Sequence, residues 1–166
     1  MKDAAAKAVA EEDPWAKCKV ESIPAERVIR HLYHPGTKSW TEDETIVKVE
    51  KTPFTHGAMR FCYRMKKLSP PPQSASNHRF HSYGWTRASN YVAKAYQKDG
   101  VVDTSEEAKD AVRNDITLQY EASYWAQKFN ERNPTKKLVF IRAYAMEFPN
   151  RPGKPWFALE LSLRHI

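Results

Sequence analysis

The chain has 166 residues, of which 28% are charged and 41% hydrophobic, and a formal net charge of +7; this is long enough for one domain with its own core and too apolar for a disordered chain. No window has the apolar length of a membrane span, and Met1 to Glu12 lacks the continuous apolar stretch of a secretory signal. Two cysteines, Cys18 and Cys62, exclude a disulfide framework and a cysteine-rich zinc site, so a reducing, cytoplasmic home is the expectation.

In chain order, Lys2 to Ala10 is alanine-rich and predicts a short helix, which Asp13-Pro14 stops because proline disfavours the helical conformation in the residue before it. Residues 1–14 therefore read as an N-terminal helical segment ahead of a domain over 15–166. Arg27 to Tyr33 alternates as a strand. His34-Pro35-Gly36-Thr37 supplies a turn, and Thr45 to Glu50 reads as the returning strand. Phe54-Thr55-His56-Gly57-Ala58-Met59-Arg60 is a glycine turn that leads into a third strand over Met59 to Leu68. Ser69 to Ser89, with Pro70-Pro71-Pro72 and many serines, has no periodicity and reads as a mobile insertion between strands. Asn90 to Tyr96 is the fourth strand.

Thr104-Ser105-Glu106-Glu107 has capping-box spacing and opens a long helix that Asn133-Pro134 ends. Leu118, Ala122, Trp125 and Phe129 make an apolar stripe on it, with Glu121 on the same side. Leu138 to Glu147 predicts a strand with Val139, Ile141, Ala143 and Ala145 on one face. Asn150 to Pro155 is turn-rich, and Phe157, Leu159, Leu161 and Leu163 alternate in a last strand. The expected fold is α+β: an antiparallel sheet packed by one long helix, with no internal repeat.

Charge is unevenly placed. Lys51 to Lys98 holds nine basic residues and no acid, which leaves eighteen basic against twenty acidic residues elsewhere. Such a run draws anions, whether a nucleotide or a nucleic acid, and equally describes a plain solvated surface. Phe80, Tyr83 and Trp85 would be its stacking platforms for a nucleic acid.

Four positions bear on phosphate chemistry. Lys94, flanked by Val92-Ala93 and Ala95-Tyr96, puts an amine on stiff backbone, as a fixed point charge for phosphates requires; an edge-strand lysine facing water looks the same. Gly57 lets backbone come close to a phosphate, though hairpins use glycine freely, and Arg60 could fork onto phosphate oxygens or lie on the surface. Glu121 on an apolar stripe wants a cation, for which Lys94 is the natural partner and Asp115 its rival. No histidine spacing makes a metal site; His78 and His81 fall in the insertion.

Several stretches together carry a family likeness: Asp13-Pro14-Trp15-Ala16; Pro53-Phe54 through Gly57-Ala58-Met59-Arg60; Lys66-Lys67-Leu68; Ala88-Ser89-Asn90-Tyr91-Val92-Ala93-Lys94; Leu118-Gln119 with Glu121-Ala122; and Arg151-Pro152-Gly153-Lys154-Pro155 leading to Phe157, Leu159 and Glu160. They resemble, in order, the N-terminal lobe of the alpha-kinases, atypical serine/threonine protein kinases, and within them the members that act on elongation factor 2. The resemblance implies ATP and Mg²⁺ as cofactors and a protein substrate, elongation factor 2 being the candidate. It implies that Lys94 contacts ATP phosphates, that Phe54, Gly57 and Arg60 form the loop over the nucleotide, and that Glu160 meets the adenine amino group. Glu121 is carried over as the partner of Lys94, the two forming the catalytic pair. The family's second lobe, with its catalytic aspartate, metal ligands and zinc site, has no match here, and Leu161 to Ile166 departs from the family pattern after Glu160. The expectation is an ATP-binding lobe inactive on its own. The alternative is a non-catalytic nucleotide- or calmodulin-binding module. Calmodulin is the weaker partner, because Met1 to Asp13 has two lysines against four acids and lacks spaced bulky anchors. A nucleic-acid-binding domain ranks last, and no membrane partner is expected.

Overall fold

Among the described residues, eight antiparallel strands make a sheet that closes on itself. The computed structural model describes residues 13, 15–68, 84–85 and 88–162. The expected helix over 2–10, most of the 69–89 insertion with His78, His81, Phe80 and Tyr83, and Leu163 lie outside the described residues. The strands are β1 (Glu26–His34), β2 (Ser39–Val49), β3 (Thr55–His56), β4 (Arg60–Lys67), β5 (Ser89–Lys98), β6 (Val101–Val102), β7 (Ala143–Glu147) and β8 (Trp156–Leu161). Among the described residues there is one α-helix, α1 (Glu106–Asn130), which connects β6 to β7. The order across the sheet is β3-β4-β2-β1-β7-β8-β5-β6, and β4 also pairs with β5. That extra pairing, from Arg60↔Tyr96 to Lys67↔Ser89, joins the sheet into a ring.

Closure gives the sheet an inside and an outside, which explains how period-2 alternation is used. The inside holds Val28, Val47, Val49, Tyr63, Met65, Ala93, Phe157 and Leu159 among its core. The outside, where α1 lies, buries Tyr33, Val112, Ile116, Ala145, Trp156 and Ala158. Lys94 and Glu160 alternate with inward residues and so share the outer, helix-facing side.

The structure corrects the reading of α1. The helix is capped by Ser105, whose hydroxyl accepts from the Ala108 N–H at 3.2 Å, not by Thr104. Thr104 packs instead on Gly153 (φ +70°), where an added Cβ would come within 2.7 Å of its hydroxyl. The face on the sheet is Ala108, Val112, Ile116 and Ala126. The expected stripe points outward: Leu118 is 68% exposed and Trp125 65%. Both stripes have helical spacing, and the curved sheet accepts the one with small and β-branched side chains.

The strand expected over Leu138 to Glu147 forms only from Ala143. Before it, Asn130 takes over the pairing, donating to the Leu138 carbonyl at 2.7 Å and accepting from the Leu138 N–H at 2.9 Å. Gln119 likewise donates to the Ile141 carbonyl at 2.9 Å. Helix side chains thus satisfy backbone groups that a neighbouring strand would otherwise occupy.

Candidate active site

Among the described residues, much of the basic run is neutralised on folding. Arg64 pairs with Glu50, Arg60 with Asp115, Lys94 with Glu160 and Lys66 with Asp13, each acid coming from outside the run. Lys67 is buried and donates to the Leu68 carbonyl at 3.2 Å. Trp85 is not a stacking platform: it is 4% exposed, in contact with Ile46, with the Lys48 ammonium 4.7 Å from its ring centre.

What remains is a cleft between the outer sheet face and α1. It encloses about 290 Å³ and is bounded by Glu160 and Ala158 on β8, Ala143 on β7, Arg60 on β4, and Asp115 with Leu118 on α1. β5 holds Lys94 between β4 and β8, opposite Cys62 and Ala158. Its ammonium donates to Glu160 Oε2 at 2.7 Å, with the two side chains 27% and 35% exposed. A charge-assisted bond at this depth fixes the lysine yet leaves it in reach of solvent.

Glu121 is not the partner of Lys94. It sits a turn further along α1 and accepts from the Tyr33 hydroxyl at 3.2 Å; burial and this carboxylate push the Tyr33 phenol up. Asp115 does not compete for Lys94 either. Its Oδ2 accepts from Arg60 at 2.9 Å and from the Tyr96 hydroxyl at 3.0 Å, and the Arg60 guanidinium lies 5.2 Å from the Tyr96 ring centre. Burial, then the bond to Asp115, raises the Tyr96 phenol. Arg60 is therefore a clamp between β4 and α1 at one wall of the cleft.

The glycine turn stands beside it, with β3 and β4 paired at Thr55↔Cys62 and His56↔Phe61. The Gly57 N–H is spent on the Arg60 carbonyl at 2.9 Å, and the Gln97 amide donates to the Ala58 carbonyl at 3.0 Å. Space above Gly57 is open, for an added Cβ would meet nothing within 4 Å. The Phe54 ring stacks under the Arg64 guanidinium at 4.4 Å and shapes the base of the turn.

Sequence reasoning missed a second polar node. The Asp13 carboxylate takes the Lys66 ammonium at 2.6 Å, the Asn90 amide at 2.7 Å and the Trp15 N–H at 2.9 Å. Burial pushes this carboxyl up, but those hydrogen bonds and the Lys66 charge prevail and hold it below the ordinary carboxylate range. Three of the motifs quoted above meet here: Asp13-Pro14-Trp15, Lys66-Lys67-Leu68 and the run through Asn90. The available signal was that two of them hold charges of opposite sign.

An antiparallel ring, one helix across its outside and a lysine–glutamate pair on the helix-facing side make an α+β domain of the protein-kinase class. Residues 55–165 match the family described as the alpha-kinase family, and the chain belongs to it. It is 40% identical over 148 residues to eukaryotic elongation factor 2 kinase of Homo sapiens, covering 89% of this chain and 18% of that protein. It is 37% identical over 135 residues to alpha-protein kinase 1 of Dictyostelium discoideum, covering 81% of this chain and 8% of that protein. The chain thus spans less than a fifth of the length of these relatives. Among solved structures, it is similar to the alpha-kinase domain of myosin-II heavy chain kinase A in complex with AMP-PNP. The TM-score is 0.62 at 25% identity, over 86% of this chain and 62% of that one. The same domain bound to ADP gives 0.61 at 26% identity, over 84% of this chain and 61% of that one.

Proposed function

We propose that this chain is the ATP-binding part of an alpha-type serine/threonine protein kinase that moves the γ-phosphate of ATP to a protein hydroxyl. Elongation factor 2 is the substrate class favoured by the likeness to its kinase. The observation that carries the reading is the Lys94 ammonium, 2.7 Å from Oε2 of Glu160, the carboxylate that lines the cleft. A strand-held ammonium is a point charge for phosphates, and a polyphosphate arriving there competes with a single carboxylate for it. Glu160 Oε2 holds the lysine, and its other oxygen is available to accept from an adenine amino group. Phe54 and Gly57 contribute the turn at the side of the cleft, and Arg60 holds that turn's strand to α1. Glu121 acts through Tyr33, as a positioning group for the helix.

Among the described residues no group of three or more His, Cys, Asp or Glu could hold a metal ion. These residues do not build a site for a resident Mg²⁺, which enters the proposal solely as the companion of the substrate, MgATP. Cytoplasmic localisation belongs to the same reading.

Titration with a fluorescent ATP analogue tests the reading. Saturable binding that weakens at least about tenfold in Lys94→Ala supports it, since losing a hydrogen bond to a charged group costs about 1.5–3 kcal/mol. Equal binding by Lys94→Ala sinks it. Binding without phosphate transfer to a peptide substrate assigns the chain a nucleotide-holding role alone.

A further inference from the structure

A second cavity, of about 560 Å³, opens where β1 runs on past its pairing with β7. That pairing ends at His31↔Ala145, while β1 continues to His34 alongside β2 alone. Arg30 and Leu32 belong to the inward-facing set of β1, and Tyr144 to that of β7, so the cavity is a mouth of the closed ring, roofed by the second half of α1. Barrel mouths are places where ligand pockets form, and this volume lies in the ordinary range for a small molecule.

Its chemistry is one-sided. No carboxylate lines it among the described residues. Arg30 is already held by both oxygens of Asp43, and His34 by the Thr41 hydroxyl. Arg142 is different: exposed at the rim, it has no ion-pair or hydrogen-bond partner among the described residues. The hydroxyls of Tyr120, Tyr124 and Tyr144, the Ser123 hydroxyl and the Gln127 amide are likewise without hydrogen-bond partners there. Six side chains with unused donors therefore converge on one recess whose walls are aromatic rings and Leu32. Unpaired guanidinium, many donors and no acid select an oxyanion; aromatic walls select a flat body carrying it.

We propose that this mouth binds a phosphomonoester carried on an aromatic body, with Arg142 as its fork and the tyrosine hydroxyls as supporting donors. The site is separate from the Lys94 cleft and does not depend on what that cleft binds. Calorimetric titration of the 166-residue chain uses three probes: phenyl phosphate, AMP and inorganic phosphate. Phenyl phosphate is expected to bind more tightly than inorganic phosphate. Arg142→Gln is expected to weaken it about tenfold or more, the scale of one lost charge-assisted bond. Arg142→Lys keeps the charge without the fork and should fall between; Tyr144→Phe should weaken binding by a smaller factor. Lys94→Ala should leave it unchanged. AMP binding tighter than phenyl phosphate, with the same dependence on Arg142, supports the site and makes a nucleotide the source. The proposal is overturned if Arg142→Gln binds as the parent does, if Lys94→Ala removes the binding, or if inorganic phosphate binds equally well.

Discussion

Asp13 Oδ2 lies 2.6 Å from Lys66 Nζ, and the side chain of that lysine is 1% exposed. A cation so placed is tolerated because Asp13 neutralises it and in turn receives Asn90 and the Trp15 N–H. The contact pins the segment around Trp15, itself in the core, to the junction of β4 and β5.

Asp13→Ala should therefore destabilise the fold by about 3–5 kcal/mol, because it strands a buried charge. Lys66→Met should cost much less, for it removes the charge and keeps the volume. Urea unfolding measures both; equal losses would mean that packing, not charge, decides. The lowered carboxyl also sets a pH limit. Its contribution is complete above the unfolded aspartate value of about 3.9 and is lost as pH falls through the lower folded value.

Glu160 and Lys94 make an ion pair, which, on the proposed reading, a polyphosphate must open. Glu160→Gln removes the competitor, so tripolyphosphate should bind up to about fivefold more tightly, the scale of a partly exposed ion pair. The adenine-bearing analogue should gain less, because it also loses a carboxylate acceptor. Weaker tripolyphosphate binding by Glu160→Gln would show that the carboxylate orients the lysine and does not compete for it.

His31 gives stability a dependence nearer neutrality. It is 7% exposed, stacked 4.2 Å from Trp156, with Glu42 and Glu147 oxygens 3.6 and 3.5 Å from its two nitrogens. Burial lowers the imidazole against the pull of Glu147 and Glu42, and Arg113, stacked on the other aromatic, adds to the lowering. The unfolded chain then takes up the proton first. Stability is full above the unfolded value of about 6.5 and falls as pH drops from there towards the lower folded value. Urea midpoints taken at several pH values should decline across this window in the parent and stay flat in His31→Gln. A decline of the same size in His31→Gln would place the sensitivity elsewhere.

The two faces of α1 should respond in opposite ways. Ile116→Ala opens a cavity against Trp156 and Ala158 and should cost about 2–5 kcal/mol. Trp125→Ala, on the outward stripe, should change stability by no more than about 0.5 kcal/mol. A larger loss for Trp125→Ala than for Ile116→Ala in thermal unfolding would contradict the packing described here.

Much of this was legible in sequence, and the failures share a cause. Alternation located β1, β4, β5 and β8, because local pattern decides whether a strand forms. The side of α1 that faces the sheet was not legible, because two stripes fit one period and the choice belongs to the sheet's curvature. The strand expected from Leu138 was lost to Asn130 and Gln119, which answer its backbone from a distance in sequence. The flanks of Lys94 placed it on a strand, as β5 has it, but its partner was misread. Glu121 has the burial signal, whereas Glu160 wins through register, with Lys94↔Ala158 and Val92↔Glu160 setting the two side chains on one face. The basic run misled for the same reason: charge counted along a chain ignores acids that folding brings across it.

The register Lys67↔Ser89 has a practical consequence. The chain departs from β4 and re-enters β5 at neighbouring points of the ring, so an insertion in this connection need not shift the ladder, provided Leu68, Trp85 and Ala88 keep their packing at Ile46. That makes the β4–β5 connection a natural docking bay for the engineer. A fluorescent reporter or a whole guest domain could be spliced in there, with Lys94 five rungs away left undisturbed.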